Sequence, residues 1–179
     1  MSSIRLEEGN LSFGFSGYLT AVKFDDQNTN PHGLEPVDFV AESDDCIYFI
    51  EVKDYQHPHP MAVARRDADR LMLLSTASKK SNDESLYCHK IGSKFKDSLL
   101  RKYVMGDIDK KFGKVIVYLF FINFDALGAM ERGMLKERIS NHVPKGLKDS
   151  RRGLLPDISF DLVSMEQLKQ YGIVCTART

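Results

Sequence analysis

Apolar positions fall into several short alternating runs early in the chain and one long continuous run beyond its midpoint. Met1 to Gly9 reads as a short strand or turn. Leu11 to Phe15 and Tyr18 to Phe24 read as strands separated by Ser16-Gly17, the second being the expected first core strand, ended by Asp25-Asp26. Asn28 to Gly33 has loop composition. Pro36-Val37-Asp38-Phe39-Val40-Ala41-Glu42 and Cys46-Ile47-Tyr48-Phe49-Ile50-Glu51-Val52-Lys53 then flank a Ser-Asp-Asp turn, the pattern of a β-hairpin. Side chains alternate along a strand, so Ile47, Phe49, Glu51 and Lys53 share one face and Cys46, Tyr48, Ile50 and Val52 the other. A strand apolar on both faces belongs inside a sheet.

Helical spacing follows. Met61 to Ser75 reads as a helix carrying Arg65, Arg66 and Arg70, and Ala77 to Glu84 as a polar linker. Lys90 to Val104 reads as a second helix with a stripe of Ile91, Phe95, Leu99 and Tyr103. After a turn over Gly106 to Gly113, Lys114 to Phe124 is the most apolar run in the chain and predicts a buried central strand. The helical segment before it allows a crossover that sets it parallel to the Glu51 strand. Ala126 to Val143 predicts a further helix, stopped at Pro144, and Lys145 to Pro156 a basic loop. Ile158 to Val163 predicts a strand. Ser164 caps a short helix over Met165 to Tyr171, and Ile173 to Cys175 adds an edge strand. This order predicts an α/β sandwich with a mixed central β-sheet flanked by α-helices.

Composition narrows the class. The 179 residues suit a single domain spanning residues 1–179, and 42% hydrophobic with 28% charged residues is the make-up of an ordinary globular protein. No apolar run is long enough for a transmembrane helix, and no basic segment followed by an apolar one opens the chain. Cys46, Cys88 and Cys175 are far apart and odd in number, which reads as reduced thiols and a cytoplasmic location. His57 and His59 stand in a proline-bearing loop with no further Cys or His to complete a ligand set.

The net charge is zero but unevenly spread. Residues 1–60 hold 3 basic and 11 acidic side chains, residues 61–111 hold 12 and 7, and residues 112–179 hold 10 and 7. Within the acidic part, an antiparallel hairpin brings Asp38 level with Glu51, beside Lys53. Two carboxylates and a lysine at one buried point are costly, because the carboxylates repel and burial penalises every charge. A divalent cation resolves the conflict, and Mg²⁺ favours oxygen ligands.

The pattern Pro36-Val37-Asp38, then Glu51-Val52-Lys53 on the next strand, resembles the active-site signature of the PD-(D/E)XK nuclease superfamily. The resemblance covers residues 36 to 54 and, through the order of elements, most of the chain. It implies a restriction-endonuclease-like fold, with Asp38 and Glu51 as ligands of Mg²⁺ or Mn²⁺, the Val52 carbonyl as a further ligand, and Lys53 as a catalytic lysine. The family often supplies another acid from a helix before the first strand. No such helix is legible here, and Glu7, Glu8, Asp25, Asp26 and Glu35 remain alternatives. The implied activity is metal-dependent hydrolysis of phosphodiester bonds in nucleic acid, DNA before RNA, in a phage-defence or toxin-like effector working with a protein partner for target choice. No membrane partner is expected, and a homodimer is one open arrangement. Lys94, Lys96, Arg101 and Lys102 are the candidate backbone-phosphate contacts, and Gln56 or His57 lies where the chain leaves the site. The alternative is a catalytically inactive module of the same fold that binds nucleic acid or a protein. A phosphoesterase acting on small esters ranks last, since no glycine-rich phosphate cradle is present.

Overall fold

The computed structural model describes residues 3–25, 34–56, 71, 82–104, 114–144 and 158–178. The strands are β1 (Ile4–Glu8), β2 (Leu11–Phe15), β3 (Thr20–Lys23), β4 (Phe39–Glu42), β5 (Cys46–Asp54), β6 (Val115–Asn123), β7 (Ile158–Val163) and β8 (Ile173–Ala177). The helices are α1 (Asn82–Val104), α2 (Ala129–Ser140) and α3 (Met165–Leu168), the last continued by a 3₁₀ turn over Lys169–Tyr171.

Five strands form a mixed sheet in the order β3-β4-β5-β6-β7. β3, β4 and β5 are antiparallel neighbours, and β5, β6 and β7 run parallel. The parallel register of β5 on β6 sets Glu51 beside Phe120 and Lys53 beside Ile122. β6 is apolar on both faces because both are covered. Ile116, Tyr118, Phe120 and Ile122 pack with Phe49, Ile91, Phe95, Leu135 and Ile139, joining the sheet to α1 and α2. Val117, Leu119 and Phe121 pack with Ile50, Val52, Phe13, Phe15 and Leu168.

The second core differs from a sheet flanked by helices alone. Its cover is a three-stranded antiparallel sheet, β1-β2-β8, with the short α3 beside it. Sequence alternation makes β1, β2 and β8 recognisable as strands, but their partners come from opposite parts of the chain. β2 pairs with β1 in a hairpin and with β8 along Leu11 to Phe15. The Ser164 cap is present as a capping box with Gln167.

Element limits shift modestly. α1 begins at Asn82, taking in the end of the expected linker, and α2 covers Ala129–Ser140 rather than Ala126 to Val143. On α1, Ile91 and Phe95 are buried and Leu99 is partly so, whereas Tyr103 is 59% exposed and drops out of the stripe. Of the helix expected over Met61 to Ser75, only Leu71 is described, helical and buried against the α1 side of the sheet. The Gly106–Gly113 turn, the 145–156 loop, and Asp26, His57 and His59 lie outside the described residues. Among the described residues no helix is long and apolar enough to cross a membrane. Cys46, Cys88 and Cys175 form no disulfide.

Candidate active site

The β4–β5 ladder places the central acids. Phe39 pairs with Ile50 and Val40 with Phe49, so the next step sets Asp38 beside Glu51 on the face that meets α1. On its other side Asp38 accepts the Phe24 N–H through its carbonyl, 2.7 Å, continuing the β3 pairing by one residue. The Asp38 carboxylate accepts the Val52 N–H at 2.5 Å. In an extended strand the N–H and C=O of one residue face the same edge, so the Val52 carbonyl opens towards the same side.

Glu51 is fully buried and Asp38 nearly so. Lys53 Nζ lies 2.5 Å from Glu51 Oε1. The fold thus brings Asp38, Glu51, Val52 and Lys53 together, as the hairpin requires. Asp38 stands one residue before β4 proper, its side chain buried against the end of β5.

A second lysine joins them. Lys94 of α1 reaches the same carboxylate, 2.8 Å from Oε1 and 3.1 Å from Oε2, with its side chain only 16% exposed. It belongs to a polar stripe at i, i+3, i+4 and i+7 that faces the strand ends. Asp97 accepts the Glu35 N–H, 3.0 Å. Ser98, fully buried, accepts the Val37 N–H at 2.8 Å and donates to the Lys94 carbonyl at 2.7 Å. Arg101 stacks over the Phe24 ring at 4.4 Å and donates to the Phe24 carbonyl. One helix face therefore fixes the segment before Asp38, the end of β3 and Glu51 itself.

This corrects two of the four expected phosphate contacts. Arg101 is buried and Lys94 is bound to Glu51, so neither offers a charge to an outer backbone. Lys96 is exposed and Lys102 half-buried. Both corrected residues carry positive charge at helical spacing from an apolar stripe, which reads like a solvated face until its partners are known.

Among the described residues the open question about a further acid narrows to two. Carboxylate oxygens of Glu8, Asp25 and Asp38 lie within 4.8 Å of one another. Glu8 comes from the end of β1 and Asp25 from just beyond β3, so the cluster joins both sheets. Glu7 points away and pairs with Arg178 at 2.9 Å. Glu35 is exposed, with Lys90 at 3.9 Å. Gln56 is exposed and its N–H is held by Asp54. Glu8, one of the alternatives left open by the sequence, arrives on a strand rather than a helix, through the association of two sheets.

Electrostatics mark the centre as strained in charge. Burial pushes the Asp38 carboxyl up to about 8, and the neighbouring Glu51 carboxylate adds to the rise. Burial, with Glu8 beside it, also raises Asp25. For Lys53 burial opposes the charge, but Glu51 and Asp38 outweigh it and hold the ammonium above its ordinary value. Lys23 pairs with Glu8 at 2.8 Å. Asp25 Oδ1 is buried and accepts no hydrogen bond from another described residue. Carboxylates gathered so closely favour a hard divalent cation over any neutral ligand.

No protein-family model, curated protein or solved structure matches the chain.

Proposed function

We propose that the protein is a metal-dependent nuclease of PD-(D/E)XK type with a restriction-endonuclease-like fold, hydrolysing phosphodiester bonds of nucleic acid, DNA before RNA. The observation that carries this reading is the meeting of Asp38, Glu51 and Lys53 at one end of the central hairpin, with Glu8 and Asp25 beside Asp38. Asp38, Glu8 and Asp25 would hold Mg²⁺ or Mn²⁺, with Glu51 and the Val52 carbonyl as the further ligands the resemblance implies. When bound, the cation polarises a phosphoryl oxygen and lowers the pKa of water. The Val52 N–H aims the Asp38 carboxylate. Lys53, kept charged by Glu51, offsets charge that develops on the phosphate and orients the attacking water. A phage-defence or toxin-like role with a protein partner for target choice is part of the proposal. The cytoplasm is its proposed location, and a homodimer a proposed assembly.

One observation favours a second reading. Glu51 is already neutralised by two ammonium groups, so the centre is partly balanced without a cation. A catalytically inactive module that binds nucleic acid or protein would keep its affinity in EDTA and tolerate Glu51→Gln. The deciding experiment incubates the protein with plasmid, linear and single-stranded DNA and with RNA, in Mg²⁺, Mn²⁺ or EDTA, alongside Lys53→Ala and Asp38→Ala. The nuclease reading expects cleavage that needs metal and disappears in both folded variants. Metal-independent cleavage, or cleavage surviving Lys53→Ala, would sink it.

A further inference from the structure

The proposed reaction uses Lys53, but the more deeply covered lysine on Glu51 is Lys94. Their side chains are 27% and 16% exposed. Lys94 comes from a helix, not from the hairpin, and spans both carboxylate oxygens of a residue with no solvent exposure. A buried carboxylate without a partner is costly, so a cation must stay on it whenever the metal is absent. Lys53 bonds Oε1, and it is Lys94 that reaches Oε2.

We propose that Lys94 is a resident counter-ion of Glu51, holding the place of a divalent cation in the metal-free protein and competing with that cation for the carboxylate. The proposal rests on the metal-binding reading above. Its geometry is two-sided. Lys53 reaches Glu51 from the same strand and Lys94 from the facing helix, each on a flexible four-carbon stem. Ser98 ties the Lys94 backbone to Val37 and so to the Asp38 segment. The Lys94 side chain is therefore anchored at its base, and its ammonium can leave Glu51 by rotation of its stem alone. Lys94 is a positioning residue: it holds the Glu51 carboxylate in place until metal arrives.

Removing this competitor should tighten metal binding while weakening the metal-free fold. Calorimetry with MnCl₂ alone, at fixed pH, would compare wild type, Lys94→Met, Lys94→Gln and Lys94→Arg. Lys96→Met serves as the control, since it removes the same charge from an exposed site on the same helix. A unit charge a few ångströms from a divalent ion predicts on the order of ten-fold tighter Mn²⁺ binding for Lys94→Met and Lys94→Gln. Lys96→Met should change it less than about two-fold, and Lys94→Arg should stay near wild type. In EDTA, Lys94→Met should melt below wild type, and Mn²⁺ should restore more stability to it than to wild type. Lys94→Gln keeps a hydrogen-bond donor and provides a folded sample should the methionine variant unfold. If wild type binds Mn²⁺ and the Lys94 variants bind it no tighter than Lys96→Met, the competition idea is overturned and the metal site stands. If wild type binds no Mn²⁺, both fall together.

Discussion

Replacing Asp38 by asparagine should stabilise the metal-free protein at pH 8 and leave it nearly unchanged near pH 4. The carboxyl is raised from an ordinary 3.8 to about 8 by burial and by Glu51. Between those values the folded protein holds a proton that the unfolded chain releases. Stability therefore falls as pH rises through this window, by about 1.4 kcal/mol per pH unit, and levels off above the folded value. Across the window, allowing for relaxation of the site, the penalty is of the order of 3–5 kcal/mol. Asparagine keeps the oxygen that accepts the Val52 N–H and turns an amide donor towards Glu8 and Asp25, with no charge to lose. Thermal melts in EDTA at pH 5, 6, 7 and 8 would show the variant gaining on wild type at each step. At pH 8 the gap should reach roughly 6–20 °C for a chain of this size. The raised Asp25 acts in both proteins and largely cancels in the difference. A gap that stays flat from pH 5 to 8, or a wild type more stable at pH 8, would refute the reasoning. Saturating Mn²⁺ should narrow the gap, because the cation stabilises the ionised carboxylate that the variant lacks.

Ser98→Ala removes the acceptor for the buried Val37 N–H, so unfolding by urea should show a loss of about 1–3 kcal/mol. Cleavage in the proposed reaction should fall with it as the Asp38 segment loosens. Gly92→Ala would put a methyl 2.5 Å from the His142 carbonyl oxygen. Backbone atoms cannot yield as a side chain can, so α1 and α2 must part, costing about 1–3 kcal/mol by the same measurement. Arg101→Met keeps much of the stem but loses the stack on Phe24 and the donor to its carbonyl. A loss of about 1–3 kcal/mol is expected, read as a lower melting temperature.

Much of the larger sheet was legible because its signals are local. The turn between β4 and β5 and the unbroken apolar run of β6 each lie within a dozen residues, and the parallel crossover follows from the helix between them. The same locality made Asp38, Glu51 and Lys53 readable, since strand alternation and hairpin register alone bring them level. Lys94 and Glu8 were harder for a shared physical reason. Lys94 sits among other basic residues on a helix, and only the packing of α1 on β5 distinguishes a site lysine from a solvated one. Glu8 follows Glu7 directly, and strand alternation sends one to the acidic cluster and the other to Arg178. Which goes where depends on how two sheets stack, information that no single segment carries. Burial on both faces of the large sheet was foreseen, but not that its second cover is another sheet.

The make-up of that cover has a kinetic consequence. Leu11 pairs with Ala177 and Phe15 with Ile173, a separation of about 160 residues, and contacts so distant in sequence close slowly. The β4–β5 hairpin needs only its own turn and forms on a far shorter timescale. Asp38 and Glu51 can therefore meet well before β8 is seated on β2. The cover of the large sheet is therefore completed only when the two ends of the fold have found each other. A chain caught before that step already carries the paired acids and lysine of the hairpin, with one face of the large sheet still uncovered.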